Sequence, residues 1–389
     1  MSHFIRIEDC FASYVGIDLH TTSLTLTAIG ARGDAFERRG IPTHCTGLLK
    51  QFILSLPRPV CVGIESMGSF YWLWDFLQPR VDHLVLLDAL DLSKLRPREA
   101  ATDRTISARI AHCLRDGEVP MAYVPPPAIR RLRQLGRQWH RVTEASATAK
   151  VQSRWLLHQV NARGPRQIDG ASMQRWLRAY GHDLEPLPCA LLEHWHETIL
   201  MYERIRVDLR RRMLGIVRAD EVLMRHLNLL MSPRGIGEIL GVIILAEFGD
   251  FHRFGNADAV ACWTGLTERS HVSNRQKYPG QISKAGSATL RWALCEAAFQ
   301  LNCSDETFHE QYERVKRKTS VPGKARVTMA RRLARCLWKV VVSETPFRVG
   351  PSRNREARAN EVRLRRKRRQ QKRVCETMGE IDTMDTIVK

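Results

Sequence analysis

Tyr14-Val15-Gly16-Ile17-Asp18-Leu19 is an apolar run broken by a single carboxylate, and the first third of the chain is read outward from it. An unbroken apolar run of this length fits a strand buried on both faces. Val62-Gly63-Ile64-Glu65 repeats the pattern, an apolar strand closed by an acid. A carboxylate at the end of a buried strand is costly unless something compensates it. Two such strand ends on one sheet can converge. Asp103, in Ala101-Thr102-Asp103-Arg104, opens a helical stretch and adds a third acid. Asp18, Glu65 and Asp103 together make a set of hard oxygen donors suited to Mg²⁺ or Mn²⁺. Such an ion can activate a nucleophile and steady a leaving oxygen in phosphodiester chemistry. Each acid also has an ordinary reading: Asp103 as a helix-start residue favoured by the dipole, Glu65 as a salt-bridge partner.

Around these acids, strand and helix signals alternate. Strands are expected at Tyr14–Leu19, Leu24–Ile29, Phe36–Ile41, Val60–Glu65 and Val81–Leu87. Helices are expected at Thr43–Leu56, Phe70–Leu77 and Asp103–Leu114, the first stopped by Pro57 and Pro59. The order β-β-β-α-β-α-β-α argues for a mixed sheet flanked by helices.

The middle of the chain reads differently. Pro125-Pro126-Pro127 punctuates it, and long helical patterns follow at Ile129–Val160 and about Cys189–Val217. In the second, Leu192, Trp195, Ile199, Tyr202, Ile205, Leu209, Met213 and Ile216 step by three or four and form one apolar stripe. Two such helices fit an antiparallel pair, as a dimerising coiled-coil arm or as a packed hairpin. Residues 227–347 read as a compact, mostly helical segment. After it, Arg365-Arg366-Lys367-Arg368-Arg369 marks a basic tail expected to be disordered. The expected division is therefore 1–124, an acidic α/β domain; 125–226, a helical coiled-coil region; 227–347, a mostly α domain; and 348–389, the tail.

Composition narrows the function. Lys and Arg number 61 against 41 Asp and Glu, a formal charge of +20. That surplus favours a polyanionic partner through counterion release. No 18-residue apolar stretch and no secretory pattern occurs, so a cytoplasmic protein without a membrane span is expected. None of the ten cysteines forms a C-x-x-C pair, and most sit in apolar runs, as reduced core residues do. His194 and His196 are two apart on a helical stretch and point to different faces, so they are not expected to share a metal.

At Gly16-Ile17-Asp18-Leu19-His20, Gly63-Ile64-Glu65-Ser66-Met67-Gly68-Ser69 and Thr102-Asp103-Arg104, the chain resembles the three acidic blocks of the DEDD transposases of the insertion sequence 110 family, which includes the Piv-type invertases. The resemblance extends over nearly the whole chain except the tail. It implies a ribonuclease H-like (RuvC-like) N-terminal domain, a helical or coiled-coil middle and a mostly α C-terminal transposase domain. The family has a fourth aspartate three residues after the third, and Ile106 stands there. An Ile cannot bind a metal, so a centre of three carboxylates is expected to be weaker or to work with one ion.

The second half carries further matches. Trp263-Thr264-Gly265-Leu266-Thr267, Gly280-Gln281-Ile282-Ser283-Lys284-Ala285-Gly286 and Leu290-Arg291 resemble the family's C-terminal domain. The resemblance places the family's serine nucleophile on Ser273, with Ser270 and Ser283 as alternatives. A serine attacking a phosphate needs its proton removed and the developing charge neutralised. Arg269, Arg275, Lys277, Lys284 and Arg291 supply positive charge nearby. Gly235 and Gly237, in Arg234-Gly235-Ile236-Gly237, read first as a plain helix-start turn; the N–H groups of such a turn also suit a phosphate, and the basic context favours that use. The resemblance further implies a covalent serine–DNA intermediate, a guide RNA and a homo-oligomer, a dimer or tetramer, acting on DNA. Two competing functions stay open: a metal-dependent nuclease or junction resolvase without serine chemistry, and a catalytically degenerate nucleic-acid-binding copy.

Overall fold

The computed structural model describes residues 4–6, 11–66, 70–94, 103–273 and 276–347; the basic tail lies outside these residues. Two compact units divide the chain between Val124 and Pro125.

The first unit contains β1 (Phe4–Arg6), β2 (Ser13–Leu19), β3 (Ser23–Gly30), β4 (Ala35–Pro42), α1 (Thr46–Ser55), β5 (Val60–Glu65), α2 (Tyr71–Leu77), β6 (His83–Leu87), α3 (Ala89–Lys94), α4 (Asp103–Asp116) and β7 (Glu118–Pro120). Its five-stranded sheet has the order β4-β3-β2-β5-β6. β2 is central, antiparallel to β3 and parallel to β5, and β5 is parallel to β6. Every residue of β2 and of β5 is buried, which is why both read as continuous apolar runs.

Alternation along the strands sorts their side chains onto two faces. Val15, Ile17, Leu19, Val62 and Ile64 pack with Leu49 and Phe52 of α1 and Leu73 and Leu77 of α2. Tyr14, Ile29, Cys61, Val85 and Leu87 pack with Ile110, Ala111 and Leu114 of α4. Full burial of one such aliphatic side chain contributes about 1.5–3 kcal/mol, so both layers hold the sheet firmly. Burial also pushes the Cys61 thiol up to about 12, consistent with a small core hydrophobe. β1 and β7 form a separate two-stranded ladder that the sequence reading did not anticipate.

The second unit is mostly helical. It comprises α5 (Pro127–Gln159), α6 (Gly170–Tyr180), α7 (Pro186–Arg218), α8 (Glu221–Leu230), α9 (Glu238–Phe248), α10 (Ala257–Trp263), the strands β8 (Glu268–Ser273) and β9 (Gln276–Ile282), α11 (Ala288–Ser304), α12 (Glu306–Thr319) and α13 (Pro322–Val342). The long helices α5 and α7 pack along each other. Towards one end, Ala149 and Leu157 of α5 and Leu192 and Ile199 of α7 meet Met173 and Trp176 of α6. Towards the other, Ile129, Leu132, Met213 and Val217 enter the larger core built around α9, α11 and α13. Residues 241–248 of α9 are all buried, as expected of a helix at the centre of a core. Arg137 grips the buried Glu247 through two hydrogen bonds of 2.7 and 2.9 Å, which ties α5 to α9. On α7, His194 is exposed and His196 buried, so the two imidazoles face opposite ways. No helix among the described residues is long and apolar enough to cross a membrane.

Candidate active site

Asp18 and Glu65 stand side by side. Ile17 pairs with Ile64 across the parallel β2–β5 ladder, and each acid is the next residue on its strand. Both are buried, at 3% and 6% exposure. They share a face with Gly16 and Gly63, which are themselves paired in register. α4 lies on that face. A Cβ on Gly16 would overlap the carbonyl oxygen of Ser107, and one on Gly63 would come within 2.7 Å of Ile110 Cγ2. Glycine at these two positions lets the helix backbone approach the sheet closely.

The direction of α4 follows from its contacts. Ser107 is opposite Gly16, while Arg115, two turns on, reaches Gly33, just past the Ser13 end of the β2–β3 pair. The helix therefore runs antiparallel to β2, and its N-terminus lies toward the Asp18 and Glu65 ends of the strands. That N-terminus carries the positive end of the helix dipole, which favours nearby carboxylates. Asp103 heads the helix; its side chain lies outside the described residues. Ile106 is half-buried against the cluster that holds Phe11 and Tyr14. Ser107 is fully buried with its hydroxyl 2.9 Å from that of Thr27, a polar link between helix and sheet.

Sequence reading missed two neighbours of this edge. His20 Nε2 lies 3.3 Å from Asp18 Oδ2, a contact made by a turn in which the His20 N–H donates to Ser23 O. Asp88 directly follows the apolar strand β6, as Asp18 and Glu65 close theirs, so the same signal was present. Its Oδ1 accepts the N–H of Asp91 at 3.1 Å and so caps α3. Among the described residues no group of three His, Cys, Asp or Glu is placed to hold a metal ion. Asp18 and Glu65 nonetheless supply two buried hard-oxygen donors, the chemistry a Mg²⁺ or Mn²⁺ site requires.

The serine segment forms a hairpin that the sequence reading did not anticipate. Ser273 is the last residue of β8, paired with Gln276 of β9, and Ser270 pairs with Pro279. The side chains of Arg269, Ser270, Ser273 and Lys277, and all of Asn274 and Arg275, lie outside the described residues. Ser283, Lys284 and Arg291 are described. Ser283 and Lys284 follow β9 in a tight turn, with Lys284 exposed. Arg291 Nη1 donates to the carbonyls of Ala285 and Gly286, 3.1 Å each. Gly235 has φ +94°, and a Cβ there would sit 2.8 Å from Gln300 Cβ, so its glycine answers to packing on α11. Gly237 is the N-cap of α9 with open space around it. Asp18, Glu65 and the head of α4 thus belong to the first unit, and the serines and their basic neighbours to the second.

Comparison with known proteins bears on both halves. A DEDD transposase model of the IS110 type matches residues 15–162, and the model for the transposase IS116/IS110/IS902 family matches residues 227–313. These spans take in β2 with its acid and the hairpin with its serines, so both halves define a transposase. The chain belongs to the IS110 family of transposases. It is 26% identical over 335 residues to a Pseudomonas aeruginosa protein named "Probable family 20 transposase", covering 81% of this chain and 96% of that protein. It is 24% identical over 148 residues to the transposase for insertion sequence element IS1111A of Coxiella burnetii, covering 37% of this chain and 39% of the relative. Membership makes the chain a DNA-binding transposase and points to divalent-metal dependence.

Proposed function

We propose that this transposase cleaves and rejoins DNA with an acidic centre of Asp18, Glu65 and Asp103 and with Ser273 as the nucleophile. The carrying observation is the burial of Asp18 and Glu65 side by side beneath the N-terminal end of the helix that Asp103 begins. The sheet order β4-β3-β2-β5-β6, with a helix between β4 and β5, supports a ribonuclease H-like fold for this unit. Asp18, Glu65 and Asp103 would hold Mg²⁺ or Mn²⁺, which supplies charge neutralisation at phosphate oxygens when bound. The positive end of the α4 dipole lies toward the two carboxylates and favours negative charge there. Ile106 packs into the apolar cluster, so the fourth corner is not a donor and the centre relies on three carboxylates.

In the second unit the Ser273 hydroxyl attacks a DNA phosphate: the serine–phosphate ester forms as the bond from phosphorus to one deoxyribose oxygen breaks, and that oxygen leaves as a strand-end hydroxyl carrying the proton that the serine gives up. Arg269, Arg275, Lys277 and Lys284 balance the charge that develops on the phosphoryl oxygens. The +20 charge accommodates a guide RNA beside the DNA. Ser273→Ala and Asp18→Asn are each expected to abolish strand transfer while DNA binding persists. Full strand transfer by Ser273→Ala would sink the serine step and leave a nuclease or resolvase that uses the acids alone. Sequencing the nucleic acid that co-purifies with the chain tests the guide RNA.

Ile106 favours one second reading, a degenerate copy that binds DNA without cutting it. An inactive parent made active by Ile106→Asp would establish that reading; an active parent would exclude it.

A further inference from the structure

Among the described residues, Asn161, Lys284, Ser320 and Glu344 are the non-glycine residues with positive φ, at 49°, 51°, 54° and 48°. Asn161 follows α5, Ser320 caps α12 and Glu344 follows the C-cap of α13. A left-handed residue just past a helix C-terminus satisfies the last carbonyls and is ordinary there. Lys284 is at no helix end. It lies between β9 and α11, in a position where glycine or asparagine would be less strained.

The surroundings fix that conformation. The Ser283 N–H donates to Thr267 O at 2.8 Å and the Lys284 N–H to Gly265 O at 3.1 Å. Arg291 holds the next two carbonyls, those of Ala285 and Gly286. Gly265 and Gly286 have φ of +69° and +78°. A Cβ on Gly265 would overlap the backbone of Ala285, and one on Gly286 would sit 2.8 Å from Trp263 O. The Arg253 guanidinium covers the Trp263 ring at 4.2 Å and the Phe254 ring at 4.1 Å, and so holds the residue whose carbonyl meets Gly286. A strained residue persists when its neighbours over-determine it, and such strain concentrates at functional sites. The Lys284 side chain is exposed and has no carboxylate partner among the described residues.

We propose that Lys284 is a DNA phosphate contact whose left-handed backbone fixes where its ammonium stands beside the serine hairpin. Arg291 is a positioning residue that acts through the turn carbonyls and not on DNA. The inference rests on the reading of this unit as the one that engages DNA, but its test does not depend on Ser273 being the nucleophile.

The test uses the full chain, a short fluorescent DNA duplex of arbitrary sequence, and titrations at several salt concentrations. Lys284→Gly relieves the backbone and removes the ammonium. It is expected to raise Tm by about 2 °C while weakening binding several-fold and reducing the slope of log K against log salt by about 0.9. Lys284→Ala is expected to weaken binding equally without the gain in Tm, and Lys284→Arg to keep the salt slope. Arg291→Ala is expected to lower Tm and to weaken binding in the parent, with no further weakening in the Lys284→Gly background. An unchanged salt slope in Lys284→Gly, or a Tm lowered by several degrees, overturns the role of Lys284. Additive losses in the double variant overturn the positioning role of Arg291. Ser273→Ala is expected to leave the slope unchanged, so a live Ser273→Ala enzyme sinks the nucleophile assignment without touching this result.

Discussion

Gly16 and Gly63 show how much a single hydrogen atom in place of a methyl group can decide. By sequence each belongs to an apolar strand and to a family block. In the structure they are the points at which a helix crosses the strands without room for a Cβ, against the carbonyl of Ser107 in one case and Ile110 and Leu87 in the other. That closeness brings the start of α4 to the buried acids. Gly16→Ala is expected to cost about 3 kcal/mol, since backbone has to move and not merely a flexible side chain. Gly40→Ala, which meets nothing within 4 Å, is expected to stay within about 0.5 kcal/mol of the parent. Denaturant unfolding of both variants checks the pair, and equal stabilities would contradict the close approach.

At the scale of elements, α5 is bound to its neighbours by polar anchors as well as by its apolar stripe. Arg133 and Arg137 reach the end of α9, and His140 reaches α11. The His140 ring stacks on Trp292 at 4.2 Å, and its Nδ1 is 3.2 Å from Thr289 Oγ1. Burial holds the His140 pKa below 6.5, only partly opposed by Glu144. Burial does the same to His226, with His252 adding to it. Well above pH 6.5 both imidazoles are neutral in the folded and unfolded chain and add no pH dependence. As pH falls below 6.5 the unfolded chain takes up protons that the folded chain refuses, so stability falls. Tm is expected to drop between pH 7 and pH 5.5, and His140→Gln to flatten part of that drop. An identical pH profile for the variant would show that His140 does not carry this linkage.

For the whole molecule, the charge excess sets behaviour that no single site explains. With 61 cationic against 41 anionic side chains, binding to DNA is expected to weaken steeply between low and physiological salt, whatever its sequence. A shallow salt dependence in equilibrium titrations would show that most of this charge lies away from the nucleic acid. The comparison with the transposase family covers both units, so both belong to one DNA-binding transposase.

The strands of the first unit were legible because a buried parallel strand has to be apolar throughout, and β2 and β5 are. Asp18 and Glu65 were legible because a carboxylate closing such a run is conspicuous. The seams of α5 and α7 were legible from a spacing of three and four. The hairpin β8–β9 was not, because Glu268 to Lys277 is polar and offers no alternation for a pattern to detect. Nor was the ladder β1–β7, whose three-residue strands are shorter than any period. By itself, then, the sequence determined the family, the sheet and the acids at its strand ends, since local apolar pattern and chain order suffice for these. Only the tertiary structure decided that α4 runs back toward Asp18 and Glu65, that Arg291 braces a turn, and that Lys284 stands in a left-handed conformation. These depend on contacts between segments far apart in the chain, where steric exclusion by a neighbouring backbone, not local preference, selects the outcome.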